Sequence, residues 1–123
     1  MSGTYKDLKC WQRALDLTIC IYSSTRTFPK EELFGLSSQL RRAAVSVVSN
    51  IAGGKGRLSD RDSLRFFGSA RGSSFEIESQ IEVAERLLYL DRAEADHLRS
   101  EASETGKLLN GLIRSIRLEL GTK

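Results

Sequence analysis

The segment from Gly35 to Arg57, GLSSQLRRAAVSVVSNIAGGKGR, decides the fold of this chain. Two arginines at 41 and 42 precede a stretch from Ala43 to Gly54 without a single charge, and a basic glycine-rich stretch from 53 to 57 follows it. A run this apolar does not suit a helix with one buried face, and it is shorter than the roughly 20 residues that span a membrane. The segment therefore predicts a helix over residues 36–52 that is buried on more than one side, with positive charge at both ends.

Apolar residues at helical spacing predict three more helices, over about residues 7–25, 60–88 and 91–118. The last of them has a heptad repeat of apolar residues along one face. Four helices with short connectors predict an all-α fold, an antiparallel up-down-up-down four-helix bundle, in one domain over residues 1–123. The predicted core stripe of the first helix is Leu8, Trp11, Leu15, Thr18 and Tyr22, widened by Ile19 and Ile21. The stripes of the other two are Leu64, Phe67, Ser74, Ile77, Ile81, Ala84 and Leu88 in the third helix, and Ala95, Leu98, Ala102, Thr105, Leu109, Leu112 and Ile116 in the fourth.

Glycines stand at the end of one predicted helix and inside another. Gly53, Gly54 and Gly56 are expected to end the second helix, because glycine accepts the left-handed conformation that follows many helix C-termini. Gly68 and Gly72 lie inside the third helix, where each costs roughly 1 kcal/mol relative to alanine. We expect close approach of the second helix to offset that cost, with a break of the third helix at Gly72 as the alternative.

The second helix has a second apolar face, which needs a neighbour of its own. We expect that neighbour to be another copy of the chain, with an oligomer interface formed by Val45, Val48 and Ala52. Polar residues also occur on this helix, and buried polar side chains need hydrogen-bond partners. Hydrogen bonds across helices are the first interpretation and ligand contact is the alternative for Ser46, Ser49 and Asn50.

The charge is unevenly distributed along the chain, although the net charge is only +3. Residues 36–72 carry seven basic and two acidic groups, a net of +5, whereas residues 73–104 carry three basic and nine acidic groups, a net of −6. Either these surfaces pair with each other or the basic segment binds a polyanion. Arginine can hold a phosphate through two parallel hydrogen bonds, and no aromatic residues alternate with the arginines, so we expect contact through shape and charge. The candidate nucleic-acid-binding residues are Arg41, Arg42, Lys55, Arg57, Arg61, Arg65 and Arg71.

The residues that catalysis or metal binding would need are sparse. The only histidine, His97, belongs to a Glu94-x-x-His97 half-motif of the kind found in di-metal bundles, but it points away from the predicted core stripe. The glycine-rich stretch lacks the GxxxxGK[ST] pattern of nucleotide-binding loops. Cys10 and Cys20 are too far apart on one helix for a disulfide and are expected to be free thiols in a reducing cytoplasm. We therefore expect a cytoplasmic non-enzyme without catalytic residues, metal, cofactor or membrane partner.

Spaced motifs over roughly residues 5–117 resemble a known family. They are Tyr5-Lys6-Asp7-Leu8 with Trp11 and Ala14, Phe28-Pro29-Lys30, Glu32 with Phe34-Gly35-Leu36, Gln39-Leu40-Arg41-Arg42-Ala43-Ala44, Ser46, Ser49-Asn50-Ile51-Ala52, Ala70, Gly72-Ser73 and Glu76. The family is the bacterial four-helix-bundle proteins encoded in intervening sequences of 23S ribosomal RNA genes, whose fold includes the accessory protein of diversity-generating retroelements. The chain departs from its usual pattern at Val48, where a proline is usual, and at Gly53, where an acid is usual.

The resemblance implies a homopentamer with a central channel. For the retroelement relatives it also implies binding of nucleic acid and of a reverse transcriptase through a basic surface. Our first hypothesis is a non-enzymatic cyclic homo-oligomer that binds structured RNA or an RNA–DNA duplex. One alternative is a protein–protein adaptor that docks a basic enzyme such as a reverse transcriptase, and another is an orphan structural oligomer without a ligand. The adaptor surface would be formed by Glu76, Glu78, Glu82 and Glu85.

Overall fold

The computed structural model describes residues 3–121 as four α-helices. These helices are α1 (Lys9–Thr25), α2 (Leu36–Lys55), α3 (Asp60–Arg86) and α4 (Arg92–Gly121). Helices α1 and α3 each pack against both α2 and α4, and no strand occurs within residues 3–121. The predicted all-α four-helix bundle is confirmed. Because the connectors are short, the α2–α3 turn lies at one end of the bundle and the other two connectors lie at the opposite end.

The core is a single cluster of side chains from all four helices. Along α4 the first five residues of the predicted stripe are buried, but Leu112 and Ile116 are half-buried and Ile113 is buried in their place. An α-helix has 3.6 residues per turn, so a 3.5-residue repeat drifts by about 20° per heptad and leaves the core face after three repeats. The largest fully buried side chains include Leu17, Ile21, Leu40, Val47, Ile51, Phe67, Ile77, Ile81, Leu98 and Leu109.

The predicted core stripe of α1 is wrong by part of a turn. Thr18 and Ile21 are buried as expected, but the other side chains that α1 buries deeply include Cys10, Ala14 and Leu17. Leu15 and Tyr22 lie at the exposed edge beside α2, and Ile19 is 63% exposed. Apolar residues cover more than half of the circumference of α1, so their spacing alone could not identify which part faces the core. An apolar strip is left uncovered on this side of the bundle.

Helix α3 is continuous, so the alternative of a break at Gly72 is wrong. The expected close approach of α2 is also wrong, because a Cβ placed on Gly68 or Gly72 would meet no heavy atom within 4 Å. Both glycines face open space on the outer side of α3. Their propensity cost of about 1 kcal/mol each is therefore not offset by any contact within residues 3–121.

Close approach occurs instead at the glycines of α2. A Cβ on Gly54 would lie 2.5 Å from Cε1 of Phe67, and a Cβ on Gly53 would lie 3.0 Å from the ring of Phe66. Two aromatic rings of α3 therefore pack directly on the backbone of α2, which continues three residues beyond its expected end at residue 52. Gly56 ends the helix with φ −84°, a right-handed conformation, so the expected left-handed ending is wrong.

A left-handed residue does occur at the end of α3, where it was not expected. The helix stops at Arg86, and Leu88 adopts φ 66° and is 87% exposed, so it is not part of the core. The Leu88 N–H donates to Glu85 O and the Tyr89 N–H donates to Ala84 O, both at 2.9 Å. This is the Schellman hydrogen-bond pattern, in which the left-handed position is usually glycine.

Replacing Leu88 with glycine is expected to raise the free energy of unfolding by about 1 kcal/mol, because a leucine pays roughly 1–2 kcal/mol to adopt the left-handed region. Thermal unfolding followed by circular dichroism measures the effect as a higher midpoint. Leu87→Gly is the control, since Leu87 has φ −81° and gains nothing from glycine. A lower midpoint for Leu88→Gly would contradict this account of the turn.

Glu32 joins the two connectors at the end of the bundle opposite the α2–α3 turn. The N–H of Leu36, at the start of α2, donates to Glu32 Oε1 at 3.0 Å, and the Tyr89 hydroxyl donates to Glu32 Oε2 at 2.9 Å. These hydrogen bonds, that from Leu36 first, lower the pKa of Glu32. The carboxylate thus supplies the acceptor that the first turn of α2 requires.

The polar residues inside α2 are largely explained by hydrogen bonds. The hydroxyls of Ser46 and Ser73 lie 2.9 Å apart across the α2–α3 contact, which confirms the predicted cross-helix bond. Asn50 instead donates within its own helix, to Ser46 O at 2.9 Å. Ser49 is exposed.

Candidate nucleic-acid interface

The α2–α3 turn carries a compact cluster of basic side chains, which we call the turn cluster: Lys55, Arg57, Arg61 and Arg65. The guanidinium carbons of Arg57 and Arg65 each lie 4.8 Å from the centre of the Phe66 ring. Such cation–π contacts contribute about 0.5–1 kcal/mol at exposed sites. The ring packs on α2 because Gly53 has no side chain to obstruct it.

Asp62 neutralises part of the turn cluster. Its carboxylate accepts a 2.7 Å hydrogen bond from Arg65 Nη2 and lies 3.7 Å from Arg57 Nη1. Residues 55–65 contain four basic and two acidic groups, a net of +2. Arg61 is exposed and has no hydrogen bond or ion pair to any residue in 3–121, so its guanidinium is available for an outside anion.

The other predicted basic pair lies at the opposite end of α2. Fourteen residues separate Arg41 from Lys55, which corresponds to about 21 Å along a helix. Arg41 Nε donates to Thr25 Oγ1 at 2.8 Å and Nη2 donates to Tyr22 O at 3.4 Å, and its guanidinium lies 4.7 Å from the Tyr22 ring centre. Arg41 therefore stabilises the C-terminal turn of α1, where a cation is favoured by the helix dipole.

Arg42 and Arg71 both lie outside the turn cluster. Arg42 is exposed and lines a groove of about 540 Å³ between α2 and α3, together with Phe34, Glu76 and Gln80. Arg71 is half-buried in the middle of α3. The seven predicted residues thus form one cluster at the α2–α3 turn, a pair at the other end of the bundle and one isolated side chain, rather than one surface.

A cavity of about 620 Å³ opens at the end of the bundle that carries the turn cluster. Lys55 and Arg57 line it together with Asp60 and Glu119, and its apolar wall includes Phe67 and Ile116. Two bases beside two acids on an apolar wall offer a polar environment in which the formal charges balance. The excess positive charge therefore lies on the outer surface of the turn, at Arg61 and Arg65.

The acidic surface of α3 is partly occupied by arginines of the same chain. Arg99 on α4 donates to Glu82 at 2.6 Å and also to Glu85. Hydrogen bonds from Arg86 and then from Arg99 lower the pKa of Glu82. Two of the four carboxylates expected to dock a basic partner are therefore already paired.

His97 lies on the surface as expected, but it contacts a residue that sequence reasoning did not connect with it. Its Nε2 lies 3.8 Å from Cys20 Sγ across the α1–α4 contact. Burial, followed by the charges of Glu101 and Asp16, raises the pKa of the Cys20 thiol. Burial also raises the pKa of Cys10, to about 11. Both cysteines are free thiols, Cys10 buried and Cys20 half-buried. Nothing in the one-dimensional pattern pointed to the Cys20–His97 pair.

Between residues 3 and 121, no helix is both long enough and apolar enough to cross a membrane. Within the same residues, no three or more His, Cys, Asp or Glu side chains are grouped so as to hold a metal ion.

Comparisons with known proteins identify the family. A solved structure from Bacteroides thetaiotaomicron, described as a protein of unknown function from the S23 ribosomal protein family, is similar in fold, with a TM-score of 0.79 and 22% sequence identity over 85% of this chain and 95% of that chain. No curated protein matches this sequence. The family model described as 23S rRNA-intervening sequence protein matches residues 6–111, nearly the whole bundle. This four-helix bundle therefore belongs to the 23S rRNA-intervening sequence protein family.

Proposed function

We propose that the protein is a non-enzymatic homo-oligomer that binds structured RNA, or another nucleic acid of similar shape, through the turn cluster. The observation that carries this proposal is the arrangement of arginines around Phe66, with Arg61 exposed and unpaired within residues 3–121. Stacking on the ring holds two guanidiniums in place, so less conformational entropy is lost when they bind a phosphate. The family description names 23S rRNA intervening sequences and no reaction.

Self-association would multiply this modest charge. A net charge of +2 at each turn is a weak site alone, but several copies held in one assembly bind a phosphate backbone multivalently. Uncovered apolar side chains support self-association: Leu15, Ile19 and Tyr22 are exposed on α1, and on α2 Val45 is 43% exposed while Val48 and Ala52 are half-buried. Five copies, the number that the family resemblance implies, is the assembly we propose. Free cysteines fit a reducing cytoplasm as its location.

Reversing the charge of Arg61 tests the nucleic-acid interface. We expect Arg61→Glu to weaken binding of a fluorescent RNA hairpin by about tenfold or more at low salt. It should also flatten the salt dependence, by roughly 0.7–0.9 in the slope of log affinity against log salt for each phosphate that the variant no longer neutralises. Fluorescence anisotropy from 50 to 200 mM salt, the range over which such interactions are strongly screened, measures both quantities on the full chain.

Lys107→Glu is the matched control for that experiment, because Lys107 is exposed on α4 and the charge change is the same. Binding by Arg42→Glu shows whether the opposite end of α2 also contacts the RNA. Binding that is unchanged in Arg61→Glu, or equally weakened in Lys107→Glu, would exclude the turn cluster as the interface. Reversal of Arg41 is a poorer test, since that side chain stabilises the end of α1.

A protein–protein adaptor remains the second candidate, and Glu76 and Glu78 are its exposed carboxylates. Because Arg99 pairs with Glu82 and Glu85, this surface carries less unpaired negative charge than the sequence suggested. Recovery of a basic protein partner after nuclease treatment, abolished by Glu76→Lys, would favour the adaptor over nucleic-acid binding.

A further inference from the structure

We infer that Cys20 and His97 form a surface site for a borderline-soft divalent cation such as Zn²⁺, separate from the turn cluster. The two residues are 77 positions apart in sequence and meet where α1 packs against α4. A free thiol and an imidazole are the side chains that Zn²⁺ prefers as ligands. His97 is exposed and Cys20 is half-buried, so an ion from solvent can reach both.

The distance between the two ligand atoms suits a metal. Zn–S bonds of about 2.3 Å and Zn–N bonds of about 2.0–2.1 Å, meeting at a tetrahedral angle, place the sulfur and nitrogen about 3.6 Å apart. Cys20 Sγ and His97 Nε2 are 3.8 Å apart. The separation of the two atoms therefore matches that of ligands sharing one ion to within about 0.2 Å.

Nearby charge favours a dication at the same place. Asp16 precedes Cys20 by four residues on α1, and Glu101 follows His97 by four residues on α4, so each carboxylate shares a helix face with one ligand. Both carboxylates act electrostatically on the Cys20 sulfur. Arg13 lies 3.4 Å from Glu101 and offsets part of that negative charge. The negative charge that disfavours a free thiolate at Cys20 favours a divalent cation bound there. Binding of the cation releases the thiol proton.

The site is an open one. Because no group of three ligand-type side chains is assembled within residues 3–121, the chain supplies two ligands, and water fills the remaining positions. A site of this kind binds reversibly, and each of its two protein ligands carries a large share of the affinity. Loss of either ligand should therefore lower the metal affinity roughly tenfold or more, since even residues that only support a metal ligand contribute that much.

Titration of the reduced full-length chain with Co²⁺, a coloured substitute for Zn²⁺, tests the site. We expect a near-ultraviolet thiolate-to-cobalt charge-transfer band that saturates at one ion per chain and disappears when Zn²⁺ is added. Cys20→Ser and His97→Asn should each weaken binding about tenfold or more. Cys10→Ser is the matched control, since Cys10 is the other thiol and is buried in the core. Circular dichroism verifies that all three variants remain helical.

A second measurement uses the unaltered protein. Alkylation by iodoacetamide, followed by mass spectrometry of the peptide that contains Cys20, should slow when Zn²⁺ is present. Absence of the cobalt band, retention of the band in Cys20→Ser, or an unchanged alkylation rate at Cys20 would each show a thiol–imidazole hydrogen bond only and overturn the proposed site. The outcome is independent of RNA binding, because neither residue belongs to the turn cluster.

Discussion

Gly54→Ala is expected to lower the free energy of unfolding by about 1–3 kcal/mol, the usual cost of overpacking a core. In most helices this change is favourable, because alanine has the higher helix propensity. Here the added Cβ would lie 2.5 Å from Cε1 of Phe67, a ring that is only 2% exposed. Either α2 and α3 must separate or the ring must leave its position.

Gly72→Ala is the matched control for Gly54→Ala. An added Cβ at Gly72 meets no heavy atom within 4 Å, so only the higher helix propensity of alanine matters. We expect the free energy of unfolding to rise by about 1 kcal/mol. Urea unfolding at a fixed protein concentration measures both variants, since self-association would make stability depend on concentration. Opposite signs for the two substitutions are the expected result.

Combining Gly54→Ala with Phe67→Leu tests the assigned cause. The smaller side chain makes room for the new methyl group, so the double variant should lose less stability than the sum of the single losses. Additive losses would mean that the ring of Phe67 is not what alanine at 54 encounters. A stabilised Gly54→Ala would contradict the close contact between α2 and α3 altogether.

Placing aspartates at Ile19 and Val45 is expected to dissociate the proposed homo-oligomer into a chain of 13.7 kDa. Ile19 on α1 and Val45 on α2 are both exposed in the single chain, so a charge there leaves the fold of the protomer intact. In an interface the same charges would be buried without partners, at a cost of several kcal/mol each. Sedimentation equilibrium or light scattering gives the mass directly.

Phe75→Asp controls for the choice of surface. Phe75 is 60% exposed on the outer side of α3, near Gly72, and is the alternative apolar surface for a neighbour. We expect this variant to keep the wild-type mass. If Phe75→Asp yields the single chain while the Ile19 and Val45 variants do not, the interface lies on α3. A wild-type mass of one chain would end the proposal of self-association.

The basic residues illustrate how far sequence could go toward the site. Counting charges along the chain identified residues 36–72 as its most basic segment, with a net charge of +5. Sequence could not show that Arg41 bonds to Thr25 while Arg61 has no partner within residues 3–121, because those differences depend on which helix lies alongside. The sequence also contained no sign that Arg57 and Arg65 stack on the ring of Phe66.

Sequence patterns alone were enough to predict the all-helical fold, through the uncharged run from Ala43 to Gly54 and the heptad of α4. These are local signals, since each follows from periodicity along one chain segment. Only the tertiary structure decided which face of α1 is buried, which glycines are sterically required and that His97 lies beside Cys20. The physical reason is that helix rotation and pairing are set by how whole side-chain surfaces interlock, and such contacts join residues far apart in sequence.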